Sequence, residues 1–172
     1  VLGRIVQGDP LGLRALLARR VEARHLLVDA DAVHLRAIAH CARHARACEE
    51  PDRVAVWLEA QIDEVLDAWT AEEGRRAACG GGEGSSASNA GVWAELGGPL
   101  DIEPEQARRA CARFNLLPAV ERTAFFHLVL DRRGIEEHAR EVDRPLVELA
   151  REARRALEVV LRGARSREEE TP

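Results

Sequence analysis

The stretch LPAVERTAFFHLVLDRRGIEEHAREVDRPLVELAREARRALEVVL, residues 117–161, decides the fold. Pro118 suits the first turn of a helix, and Gly134 interrupts the helical pattern after it. Beyond the break, the pattern predicts a short helix from about Ile135 to Val142, a turn at Asp143-Arg144, and a long helix from Pro145 to about Leu161. Apolar residues recur three and four apart, the spacing that lines one face of a helix. Ala139 and Val142 form that face on the short helix, and Leu146, Leu149, Ala153, Ala156 and Val160 form it on the long one. Phe125 and Leu128 form it on the supporting helix, and Leu117, just before that helix, is a further structural support of the arrangement.

Upstream, Pro104 opens a helix whose inner face is Ala107, Ala110, Cys111 and Phe114. The run from Cys79 to Gly91 is rich in Gly and Ser, offers no apolar face, and reads as a flexible tether. Three further helices are expected before it, over 11–27, 31–48 and 52–72, with Asp31 and Asp52 as caps of the last two. In the third, Val54, Trp57, Leu58, Ile62, Val65, Leu66 and Trp69 make the inner face, opposite Glu59, Asp63, Glu64 and Asp67. No stretch alternates as a strand does. The expected fold is all-α: a helical bundle over 1–73, a linker over 74–98, a second bundle over 99–167 and an acidic tail over 168–172.

The chain has 172 residues, 46% hydrophobic and 32% charged, a balance that fits a folded, water-soluble protein. Every one of its 25 cations is Arg, and Lys, Met and Tyr are absent. We take this as a mutational bias, so Arg clusters count for less as nucleic-acid signals than in a balanced sequence. Position 1 is Val, which reads as a trimmed or partial start. No stretch of about 18 apolar residues exists to span a bilayer, and the four cysteines lack the density of a secreted disulfide scaffold. The reading is a cytoplasmic protein with free thiols and no membrane partner. Net charge is −5, but residues 104–167 hold 14 Arg against 10 acids. Such a surface permits phosphate contact without demanding it.

Two helices joined by a tight turn over a third form the helix-turn-helix, the minimal unit that lays one exposed helix in the DNA major groove. Leu117-Pro118, Arg122, Phe125, Leu128, Glu136-Glu137, Ala139 and Arg155-Ala156 fall in the pattern of region 4 of extracytoplasmic function sigma factors of bacterial RNA polymerase, which this segment resembles. Trp57-Leu58 and the helical order before the tether give a fainter likeness to region 2 of the same family. Where region 4 usually carries a turn Gly, a Ser or Thr cap and a Thr-Val-Lys run, this chain has Asp143, Pro145 and Glu148-Leu149-Ala150. Glu148 and Ala150 replace a hydroxyl and a phosphate cation, and Glu148 adds a carboxylate that repels the duplex.

The resemblance implies a sigma-factor-like transcription regulator that binds double-stranded promoter DNA and core RNA polymerase without catalysis of its own. Arg144, Arg151, Arg154 and Arg155 would neutralise phosphates or reach base edges. The alternative is a degenerate sigma-like adaptor whose helical faces engage a polymerase subunit or a regulatory protein without DNA recognition. Glu152 and Glu158 interleave with these arginines at helical spacings, which suits an intrahelical salt-bridge face equally well.

His40, Cys41, His44 and Cys48, with His34 upstream, match no strong zinc signature, and the cysteines fit the buried stripe as small apolar residues. The histidines are placed at the edge of that stripe, solvated or hydrogen-bonded. Trp57 and Trp69 read as core, and Trp93 as free to dock on either bundle or a partner. His127 and His138 show no evident acid partner nearby in sequence. No phosphate loop, nucleophile elbow or paired-carboxylate motif occurs, so neither an enzyme nor a cofactor is expected.

Overall fold

Helix formation follows the apolar spacing closely. This computed structural model describes residues 9, 12–48, 53–79 and 103–164, which form seven α-helices with no strand among the described residues. They are α1 (Leu13–Ala23), α2 (Ala30–His44), α3 (Val54–Cys79), α4 (Pro104–Asn115), α5 (Ala119–Phe125), α6 (Ile135–Val142) and α7 (Leu146–Ala164). The all-α expectation holds. Among the described residues the chain divides between Glu72 and Glu73 into two compact units, and the segment Arg24–Leu27 groups with the second. The tether from Gly80, Trp93, Asp52 and the acidic tail lie outside the described residues.

In the first unit, the Asp9 carboxylate accepts from the amides of Leu13 and Arg14, satisfying two orphan donors at the start of α1. The helix ends at Ala23 rather than at 27, as His25 adopts a left-handed φ of 49°. Asp29, not Asp31, caps α2: its carboxylate accepts from the amides of Asp31 and Ala32. The core comprises Leu13, Leu16, Leu17, Val33, Ala37 and Cys41 with Leu58, Ile62, Val65 and Leu66 of α3. Trp57 and Trp69 are half-buried, and the Arg36 guanidinium lies over the Trp69 ring at 5.7 Å. Polar ties reinforce the packing: Arg20 donates to Asp63, Arg36 donates to Glu72 at 2.6 Å, and His40 Nε2 lies 3.1 Å from Gln61 Oε1.

The second unit begins within α3, which runs through Cys79 instead of yielding to a linker at 74. Glu73 accepts from Arg76 at 2.6 Å and from Arg108 at 2.5 Å, which ties this last part of the helix to α4. Pro104 occupies the first turn of α4, and the Glu103 amide donates to Gln106 Oε1, forming one half of a capping box. Ala107, Ala110 and Phe114 are buried as the spacing predicts, while Cys111 is half-buried. α5 continues into a π-helical turn, Phe126–Leu130. Phe114, Phe125 and Ala156 form the heart of this core, with Leu27, Leu117, Phe126, Val129 and Val160 packed against it. Asn115 holds the Arg24–Leu27 segment in place by accepting from the Leu27 amide and donating to its carbonyl, both at 2.8 Å.

Candidate nucleic-acid interface

α6 is only eight residues long and stops at Asp143, whose backbone is left-handed at φ 50° and ψ 51°. That conformation turns the chain sharply, and the Arg144 amide donates back to the Ala139 carbonyl at 3.1 Å. Pro145 then precedes α7, and its carbonyl accepts from the amides of Glu148 and Leu149. α7 packs on α4, α5 and α6. Its buried stripe is Leu149, Ala153, Ala156 and Gly163, spaced by four, three and seven residues. A Cβ on Gly163 would stand 2.6 Å from the Ala110 Cα, so the two helix backbones meet there at the closest approach glycine permits.

Of the residues assigned to support this arrangement, Phe125, Ala139 and Leu149 are buried, and Leu117 and Leu128 are half-buried. Val142 and Leu146 are not buried: they are 38% and 43% exposed. Both flank the turn, where each helix ends and its apolar stripe runs past the neighbour that would cover it. Leu146 instead borders an open depression shared with Glu136, Ala139, Arg140, Asp143, Arg144 and Pro145. Val147, next along α7, is 69% exposed.

The four candidate arginines differ from one another. Arg144 donates to Glu152 at 2.7 and 2.9 Å and to Glu148 at 3.3 Å, and these bonds, Glu152 foremost, raise its pKa. Arg154 donates to Glu158 at 3.0 Å, the i,i+4 pair that the helical spacing suggests. Arg155 donates to Glu121 at 3.3 Å, although its own side chain is 70% exposed. Arg151 is exposed and has no ion pair among the described residues. Sequence reasoning had no means of assigning Glu121 to Arg155, because 34 residues separate them.

Of the remaining candidates, His40, His44 and Cys41 match their sequence reading and His34 does not. His34 is a core residue, 2% exposed, rather than an edge residue. His40 pairs with Gln61, and His44 is exposed and stacks on His40 at 4.4 Å. Cys41 is buried, which pushes its thiol pKa up, and burial raises Cys111 to about 11. Among the described residues, no three His, Cys, Asp or Glu side chains converge to hold a metal ion, and no helix is long and apolar enough to cross a membrane. His127 does have an acid partner: its Nδ1 lies 3.0 Å from Asp131 Oδ2. Compared with known proteins, the chain matches no family model, no curated protein and no solved structure.

Proposed function

We propose that the chain is a sigma-factor-like transcription regulator in which α6, the Asp143 turn and α7 act as a helix-turn-helix on promoter duplex DNA, in concert with core RNA polymerase. The observation that carries this reading is the left-handed Asp143 turn between a short helix and a long one. α7 is held from behind by α4 and α5 and presents Val147, Ala150, Arg151 and Arg154 outward. A helix supported in this way can enter a major groove with its first turns foremost. Arg151 then supplies a phosphate or base-edge contact, and Val147 an apolar surface suited to a thymine methyl.

A gel-shift titration of promoter duplex with the full chain and core polymerase tests this. The chain should supershift the duplex, and Arg151→Ala should reduce that shift several-fold. A specific observation favours the second reading, a protein-interaction adaptor: Arg144, Arg154 and Arg155 already sit on carboxylates, and exposed apolar side chains flank the turn. Capture of core polymerase by the full chain without any DNA, together with no shift of any duplex when polymerase is present, would favour the adaptor.

A further inference from the structure

Three of the six histidines, distant in sequence, meet inside the second unit. His25 comes from the Arg24–Leu27 segment, His127 from the π-helical turn and His138 from α6. Ring centroids are 5.3 Å apart for His25 and His127 and 4.7 Å apart for His127 and His138. The His25 ring also packs 5.1 Å from Phe126, and its Nδ1 lies 3.2 Å from Thr123 Oγ1. At the inner end, His138 is 2% exposed and its Nδ1 has no hydrogen-bond partner, the Glu141 carboxylate standing 3.8 Å away.

Neutral imidazoles suit this packing, since their faces and edges attract one another without charge. Imidazoliums at such separations repel, and burying the His138 cation is costly, a cost that Glu141 at 3.8 Å offsets only in part. We propose that the three-histidine cluster is an acid-sensitive latch: the packed rings hold α6 against the π-helical turn, and protonation of the buried His138 loosens it. The charged groups around the cluster include Arg24, next to His25, and Arg122, which donates to the Arg24 carbonyl at 3.1 Å. On α6 itself there is Glu141; from the loop after the π-helical turn come Asp131, on His127, and Arg133, which donates to Glu141 at 3.2 Å. On the α7 side, Glu148 and Glu152 are engaged by Arg144.

Burial holds His138 below the ordinary imidazole pKa, the charges of His127 and Arg133 push the same way, and Glu141 opposes them. A base depressed in the folded state binds fewer protons there than in the unfolded chain, so stability rises with pH. The contribution is full above the free value of about 6.5, is lost as pH falls through the interval down to the folded value, and is gone below it. α6 belongs to the proposed DNA-binding surface, but the latch is a property of the fold and its test uses no nucleic acid.

The test is amide hydrogen exchange on the full chain at pH 7.5 and 5.5, corrected for intrinsic rates and read at residues 135–142. Local exchange is chosen because a global melt averages both units. The wild-type α6 should lose more protection on acidification than His138→Gln, by up to about tenfold. Equal losses in the two proteins, or no loss in the wild type, would overturn the latch. Should His138→Gln fail to fold at pH 7.5, the imidazole titration of the wild type decides by NMR. A His138 midpoint below about 6.5 that tracks α6 exchange supports the latch. A midpoint at or above that value, or exchange that does not follow it, overturns it.

Discussion

Glu152 accepts both short bonds from Arg144, at 2.7 and 2.9 Å, and so occupies a guanidinium that the sequence assigns to phosphate. Arg151 carries no such counter-ion among the described residues, although its neighbours in sequence look much like it. The difference has a measurable consequence, because each neutralised phosphate contributes about −0.9 to the slope of log K against log salt. Arg151→Ala should therefore flatten the slope of duplex binding by about 0.9, whereas Glu152→Gln, which leaves Arg144 only its 3.3 Å bond to Glu148, should steepen it by a smaller amount. An unchanged slope in both variants would show that neither guanidinium meets phosphate. A second residue-scale expectation concerns Asp143, held at φ 50° where a side chain is disfavoured. Asp143→Gly should stabilise the protein by about 0.5 kcal/mol, the relief of strain exceeding the added unfolded-state entropy. A thermal midpoint that stays or falls would contradict that account.

At the scale of elements, α7 and α4 touch backbone to backbone at Gly163 and Ala110. Adding a methyl there forces the helices apart, so Gly163→Ala should cost about 1–3 kcal/mol in urea unfolding despite the higher helix propensity of Ala. A neutral or stabilising result would mean that this contact yields easily. The helices themselves were legible from apolar spacing, as with Ala107, Ala110 and Phe114, or Leu58, Ile62, Val65 and Leu66. What was not legible depended on partners distant in the chain. α3 passes Gly74 because a bare Cα there fits against the Leu116 side chain, and because Glu73 bonds to Arg108. Such tertiary contacts offset the poor helix propensity of Gly. Likewise, periodicity assigned Val142 and Leu146 to the core without showing that the covering helices end beside them. Of the candidate site, the Arg154–Glu158 pair could be read from spacing, whereas Arg155–Glu121 and the three-histidine cluster could not.

For the whole molecule, net charge decides how any DNA binding must look. Net charge is −5, and among the described residues Arg144, Arg154 and Arg155 around the turn are already paired with carboxylates, which leaves few guanidiniums there to hold a duplex non-specifically. Association must depend on a small number of contacts at the first turns of α7, with a total salt slope of about −1 to −2. Strong binding with a slope near −6 would require a basic surface that these ion pairs do not leave open. Selection of bound duplexes from a random pool by the full chain at low salt is the most direct test of DNA recognition. The account predicts enrichment of a defined sequence that Arg151→Ala abolishes. Failure to enrich any duplex, or enrichment indifferent to Arg151, would contradict it.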